Sequence, residues 1–555
     1  MSSIDRRRFI EAGVAGSIAV AAGALPGPEA DAGQPPAAAA PPPFDLDEAT
    51  IAALQQKMKS GEETAVSVVG KYLARIDQVD RTGPSLRAVL EVNPDAEAVA
   101  AALDAERRAK GPRGPLHGIP VLIKGNIDTA DRMATSAGSL ALERSVAARD
   151  ALVARRLREA GAVILGKTNL SEWANFRSTH SSSGWSGCGG QTRNPYALDR
   201  NPSGSSSGTG SAISANLAGV GVGTETDGSI VSPSNNCGLV GVKPTVGLVG
   251  RTGIIPIAHS QDTAGPMART VTDAAILLGA IAGVDPADTA TAAAASRAAR
   301  DYTTFLDPNA LRGARIGVPR KACFGMSPAA DRIAEQALEV LRELGAVVVD
   351  PADLPSQSKI SDPEFTVLLY EFKADLDAYL ALLGPGASVH SMKEVIAFNE
   401  QHKDREMPYF GQEIMLQSER CGPLTDPKYK AALAASRHWA RTMGIDAVVA
   451  RHRLDALVAP TSGPASLTDL LNGDYGPNGC STFAAVAGYP HVTLPAGHAS
   501  GLPVGLSFFG PAYTEGKLIG YAYGFEQATR ARRAPRYLPT VELPRTDGTR
   551  AAAGA

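Results

Sequence analysis

Between residues 327 and 350 the apolar positions fall on one helical stripe. Ile333, Ala337, Leu338, Leu341 and Leu344 recur at three- and four-residue spacing. Ser327 and Pro328 stand ahead of it, a capping serine and a proline suited to the first helical position. Gly345 stops the pattern, and AVVVD at 346–350 reads as a buried strand. The same order recurs at 150–169, DALVARRLREAGAVILGKTN, where a helical stretch ends at Gly161 and an apolar run follows. Repetition of helix, glycine and strand predicts an α/β layered fold with a largely parallel sheet.

The two ends lack this pattern. Residues 5–10 read DRRRFI, followed by a weakly apolar Ala/Gly run over 12–25 and then Ala30-Asp31-Ala32. The run is shorter than the roughly 20 residues that a membrane span needs. A basic start, a short apolar middle and an A-x-A site predict a signal peptide over 1–32. Arg6-Arg7 before Arg8-Phe9-Ile10 resembles the twin-arginine form, which engages a machinery that exports folded proteins. The expected location is therefore periplasmic or secreted, without stable membrane insertion of the mature chain. Residues 33–43, GQPPAAAAPPP, read as a Pro/Ala linker. The folded domain is expected over 44–540, and 541–555 reads as a flexible tail.

Composition narrows the chemistry. A formal charge of −3 over 555 residues gives no basic footprint for nucleic acid. Five scattered cysteines without a CxxC pair argue against a disulfide scaffold and a thiolate zinc site. No HExxH or similar spacing occurs, so no metal and no cofactor is expected. His180 and His259 lie nearest the motifs discussed below; a Ser-His-Asp arrangement is conceivable, while His180, in STHSSSGWSG, reads as a pocket-lining or surface residue.

Two spellings mislead. Residues 161–168, GAVILGKT, fit the P-loop formula, but Ala-Val-Ile-Leu in the middle favours a buried strand over a phosphate-wrapping loop. Residues 204–208, GSSSG, spell a hydrolase elbow, but the preceding NPYALDRNPS is loop-like and supplies no strand. By composition alone PSGSSSGTGS at 202–211 passes for a flexible linker.

Downstream, GTETDGSI at 223–230 sets Ser229 behind a glycine in a turn that enters an apolar segment. Neighbouring N–H groups there can converge on one oxygen, as an oxyanion hole requires. Upstream, Lys124 ends the apolar run GIPVLI. Such a lysine either reaches to water or is buried. To serve as a base near neutral pH its pKa must fall by about 3 from about 10.4, a bias of about 4 kcal/mol.

GIPVLIK, GSSSG and TETDGS, in that order, resemble the amidase signature family. TSAGS (135–139), GAVILGKTNLSEWANF (161–176), GLVGVKPTVGLV (238–249), SQDTAGPMAR (260–269) and AAVAGYPHVTLPAG (484–497) extend the resemblance. NLSEWANFRS, GWSG, TETDGSI and SQDTAGPMAR look most like the peptide amidase branch. The resemblance implies a large mixed, twisted β-sheet covered by helices on both faces. It implies Ser229 as nucleophile and Ser205, after a cis Gly204–Ser205 bond, as a bridge to the base Lys124. Thr226, Asp227, Gly228 and Ser229 become the oxyanion-hole candidates. Trp173 and Asn175 would line the acyl side of the pocket or simply pack in the core. The implied substrates are small-molecule or peptide amides. Amidotransferase A-type subunits share the signature but work in the cytoplasm, against the export signal. A lipid-amide hydrolase would be expected to carry an apolar membrane-binding segment, and none stands out after residue 43.

Three positions depart from many members of that family: Gly125 in place of an acidic residue, Asp227 in place of a second glycine, and Val231 in place of an arginine. Asp227 either meets the substrate or caps the helix that follows.

Overall fold

A computed structural model describes residues 41–355, 358–384, 386–475 and 479–542. The expected leader, the linker up to residue 40 and all but the first two tail residues lie outside these ranges. The strands are β1 (Val89–Val92), β2 (Pro120–Lys124), β3 (Val163–Thr168), β4 (Trp185–Ser186), β5 (Gly190–Gln191), β6 (Val220–Glu225), β7 (Val240–Lys243), β8 (Thr263–Ala268), β9 (Arg315–Gly317), β10 (Val347–Val349), β11 (Ala456–Pro460), β12 (His491–Ala499) and β13 (Leu502–Phe509). Strands β4 and β5 form a small hairpin; the other eleven make one sheet in the order β1-β3-β2-β6-β8-β7-β12-β13-β11-β9-β10.

The sheet is mixed, which corrects the largely parallel arrangement drawn from the helix–glycine–strand pattern. It is parallel through β3-β2-β6 and again through β11-β9-β10. From β6 across β8, β7, β12 and β13 to β11 every pairing is antiparallel. Strands β12 and β13 meet through Ser500-Gly501, both at positive φ. This two-residue connection matches the twist of a hairpin, so no crossover helix is needed. Central strands are largely apolar because both faces are covered, β2 and β13 being buried at every position.

The helix Pro328–Glu343 starts as its sequence predicts. Ser327 Oγ accepts from Ala330 N at 3.4 Å, and Ile333, Ala337, Leu338 and Leu341 are buried. The strand after it, β10, is the last of the sheet, so Val347 is 45% exposed and not buried as its composition suggests. The P-loop spelling is strand β3: Val163, Ile164 and Leu165 are buried, and Lys167 Nζ donates to Thr135 Oγ1 at 2.6 Å. A second apolar cluster gathers Phe372 and Leu376 of the helix Ser358–Leu380 with Trp173 and Phe176. No helix among the described residues is long and apolar enough to cross a membrane.

Leu341→Ala removes a wholly buried side chain and should cost about 2–5 kcal/mol. Val347→Ala on the exposed edge should stay within about 1 kcal/mol. Urea unfolding midpoints of the two variants against wild type measure the contrast.

Candidate active site

Strand β2 ends at Lys124, whose side chain is wholly buried and does not reach water. Its Nζ lies 2.7 Å from Ser205 Oγ, 2.9 Å from Thr224 Oγ1 and 3.2 Å from Thr224 O. Burial draws its pKa down to about 7, against the opposing charges of Asp262 and Glu225. A neutral amine has two N–H groups and one lone pair. The Thr224 carbonyl can only accept, and Thr224 Oγ1 already accepts from Asn126 Nδ2 at 3.1 Å. Giving both amine hydrogens to Thr224 leaves the lone pair facing the Ser205 hydroxyl.

The Gly/Ser stretch is packed, with no linker character. The Gly204–Ser205 bond is cis. A Cβ on Gly204 would press into Ser171 Oγ and crowd Ser183 and Ser207 Oγ at 3.0 Å. Ser205 O accepts from Ser171 N at 3.1 Å, Ser206 Oγ donates to Thr224 O at 3.0 Å, and Ser206 N donates to Ser229 O at 3.2 Å. These bonds fasten the loop to the end of β6 and to the 226–229 turn. The wholly buried helix Ser207–Ser214 follows at once.

Ser229 is 7% exposed and lies just before the helix Val231–Asn236. Gly228 has φ +79°, a left-handed conformation that glycine adopts without a Cβ penalty. Among the described residues, the N–H groups of Asp227, Gly228 and Ser229 donate to no protein acceptor. The carboxylate that caps the following helix is Glu225, whose Oε2 accepts from Ile230 N at 2.8 Å and Val231 N at 3.1 Å. Asp227 does not take that part; it is hydrogen-bonded by Ser481, Thr482 and Glu364. Thr226 donates through Oγ1 to Asp262 Oδ1 at 2.5 Å.

Trp173 and Asn175 stand apart from these groups. Trp173 is 2% exposed and belongs to the second apolar cluster, so its contacts are those of core packing. Asn175 Oδ1 accepts from Ser181 Oγ at 2.8 Å. Trp173, Ala174 and Asn175 all have positive φ. The segment is held by Arg177, which pairs with Glu172, donates to Glu406 O at 2.6 Å and stacks 4.3 Å over Phe410. His180 is exposed, and His259 is taken by Asp375, whose Oδ2 lies 2.8 Å from Nδ1.

Two cavities flank the turn. A polar cleft of about 440 Å³ is lined by Ser203, Asp227, Gly228, Ser232, Asp474 and Ser481. A second, of about 410 Å³, reaches Asn126, Thr224 and Thr226 between Ile254, Ile255 and Ile257. Thr224 and Glu225 of GTETDGSI, Gln261 and Asp262 of SQDTAGPMAR, and Asn126 just after GIPVLIK are site residues to which the sequence alone assigns no role.

A neutral lysine against a buried serine, with open N–H groups one turn away, suits the cleavage of amides. Comparison with known proteins agrees. Residues 67–519 match the family described as Amidase. The chain belongs to this family, and it is an amide-hydrolysing enzyme. It is 41% identical to a probable amidase of Arabidopsis thaliana over 89% of this chain and 93% of that one. It is 36% identical to the A-type subunit of glutamyl-tRNA(Gln) amidotransferase from Roseiflexus castenholzii, over 87% and 96% respectively. Among solved structures, the native peptide amidase from Stenotrophomonas maltophilia superposes with a TM-score of 0.84 at 53% identity, covering 89% of this chain and all of that one.

The buried lysine has a signature in stability. Its folded pKa of about 7 lies below the ordinary 10.5, so the unfolded chain binds the extra proton between those values. The penalty of burying Lys124 is full below pH 7 and fades as pH rises towards 10.5. The melting temperature of Lys124→Met relative to wild type should therefore be more favourable at pH 6 than at pH 9. An equal difference at both values would place the amine outside the buried, neutral state.

Proposed function

We propose that the protein hydrolyses carboxamides through an acyl-enzyme on Ser229, and that its substrates are the C-terminal amides of peptides. Ser229 Oγ attacks the amide carbonyl while its proton passes to Ser205, and the proton of Ser205 passes to the lone pair of Lys124. The N–H groups of Asp227, Gly228 and Ser229 receive the oxygen that becomes negative. Lys124 returns the proton through Ser205 to the departing nitrogen, which leaves as ammonia. Water then repeats the attack on the ester, freeing the acid and Ser229. The observation that carries this reading is the wholly buried Lys124, whose Nζ stands 2.7 Å from Ser205 Oγ and 2.9 Å from Thr224 Oγ1.

Ser229→Ala should abolish turnover and acyl-enzyme formation. Lys124→Ala should lower kcat by several orders of magnitude, because the relay loses its base, and Ser205→Ala should fall between them. Ammonia release at neutral pH gives the ranking. Near wild-type activity in Lys124→Ala would move the base elsewhere.

The peptide preference is drawn from the likeness to peptide amidase and from Asp227, which borders the polar cleft. There it can accept from a substrate backbone N–H. A site built to pair such a donor penalises substrates that lack it. An N-protected dipeptide amide should be hydrolysed at least tenfold faster than an aliphatic amide of similar size, and Asp227→Ala should reduce the difference. Equal turnover of both amides by both enzymes would leave a broad-range amidase.

A further inference from the structure

Behind Asp227 lies a second acid that the relay does not use. Glu364, on the helix Ser358–Leu380, is 7% exposed and its Oε1 accepts from Gln261 Nε2 at 3.0 Å. The same Nε2 donates to the Thr226 carbonyl at 3.2 Å. Glu364 and Asp227 are hydrogen-bonded to each other. Asp227 Oδ1 is buried and meets no amide, hydroxyl or amine donor.

Ionising both of two touching carboxyls is costly, so they share a proton. Ser481 and Thr482 hydrogen-bond to Asp227 and favour its charged form. Among the described residues Gln261 is the donor to Glu364, so the shared proton belongs on Glu364, where it would satisfy the otherwise unpaired Asp227 oxygen. Among the surrounding charges, Lys243 on β7 lowers the pKa of Asp227. Glu225 on β6 and Cys480 are both raised by the Asp227 charge. Burial first, and then the charge of Asp227, hold Glu364 well above the usual carboxylate range.

We propose that Glu364 is a positioning residue for amide cleavage: it stands as a neutral acid that donates to Asp227 and ties the 226–229 turn to the helix Ser358–Leu380. The inference rests on the proposed acyl-enzyme at Ser229 but not on the peptide preference. Loss of the proton would place two negative charges in contact and push the turn out of register with Ser205. Activity would then have two limbs: an acidic one as Lys124 loses its proton near pH 7, and an alkaline one as Glu364 loses its own.

The test compares wild type, Glu364→Ala and Glu364→Gln. Each is assayed for kcat across pH on both the dipeptide amide and the aliphatic amide, so equal turnover of the two substrates leaves the comparison intact. Glu364→Ala strands the Asp227 oxygen and should lose about tenfold in kcat at pH 7.5. Glu364→Gln keeps an N–H for Asp227 but cannot ionise. It should regain most of that loss and lack the alkaline limb, with the acidic limb unmoved. Infrared difference spectra at pH 7.5 should show a neutral-carboxyl band in wild type that is missing from Glu364→Gln. Because glutamine is nearly isosteric with the neutral acid, a Glu364→Gln protein that fails to fold counts against the proposal. So does one that keeps the wild-type alkaline limb, or leaves the carboxyl band unchanged. A Glu364→Ala protein that fails to fold does not weaken the comparison of Glu364→Gln with wild type.

Discussion

Everything at this site follows from placing an amine where water cannot hydrate its charge. Moving the Lys124 pKa from 10.5 to about 7 corresponds to on the order of 5 kcal/mol against the ammonium form. That bias is useful only if the neutral amine is held in one orientation. Thr224 provides the hold by offering its carbonyl and its hydroxyl to the same nitrogen. The parallel flank β3-β2-β6 makes this possible. It brings Lys124 opposite Thr168 and sets the ends of β2 and β6 on one edge of the sheet. Sites in open α/β sheets gather at the carboxyl ends of parallel strands, and this one does so although the middle of the same sheet is antiparallel.

The elements governed by near neighbours were legible before the fold was known. Ser327, the 333–344 stripe and Gly345 specify a helix by contacts within a few residues. GAVILGKT identifies itself as a strand because four apolar residues outweigh its resemblance to a phosphate loop. Lys124 stands out at the end of an apolar run and Ser229 behind a glycine in a turn, whereas Ser205 is picked out only by the resemblance to the amidase signature family. What could not be read depends on partners far along the chain. Thr224 meets Lys124 across 100 residues, and Gln261 meets Glu364 across 103. The choice between Glu225 and Asp227 as helix cap turns on the path of a tight turn that two acidic residues two positions apart do not determine. The antiparallel middle was hidden for a similar reason, since helix–glycine–strand units describe the flanks and say little of hairpins such as β12–β13. The exposure of Val347 depends on the rank of its strand in the sheet, which three consecutive valines do not reveal.

The 172–178 segment shows a different use of buried charge. Glu172 pairs with the Arg177 guanidinium, which also donates to the backbone carbonyl of Glu406, while Trp185 and Phe410 cover its faces. Burial and the neighbouring Glu406 raise the Glu172 pKa well above its usual value, while Arg177 lowers it. The cluster ties NLSEWANFRS to residues more than 200 positions away, and three consecutive left-handed residues at 173–175 are accommodated beside it.

The tight seat of Gly204 has a consequence for how such a catalyst can diversify. With Ser171, Ser183 and Ser207 crowding the space where a side chain would begin, and Gly228 held left-handed beside Ser232 and Ser481, the inner wall of the cleft has no room for added atoms. Its outer lip is built differently: Tyr475 lines the same cleft and is 85% exposed, while Leu467 and Leu471 stand open to solvent on the same stretch of chain. Lineages or laboratory libraries that retune substrate range would therefore draw their tolerated changes from this outer segment. The glycine-lined interior would stay fixed, so that selectivity and chemistry drift on separate parts of the chain.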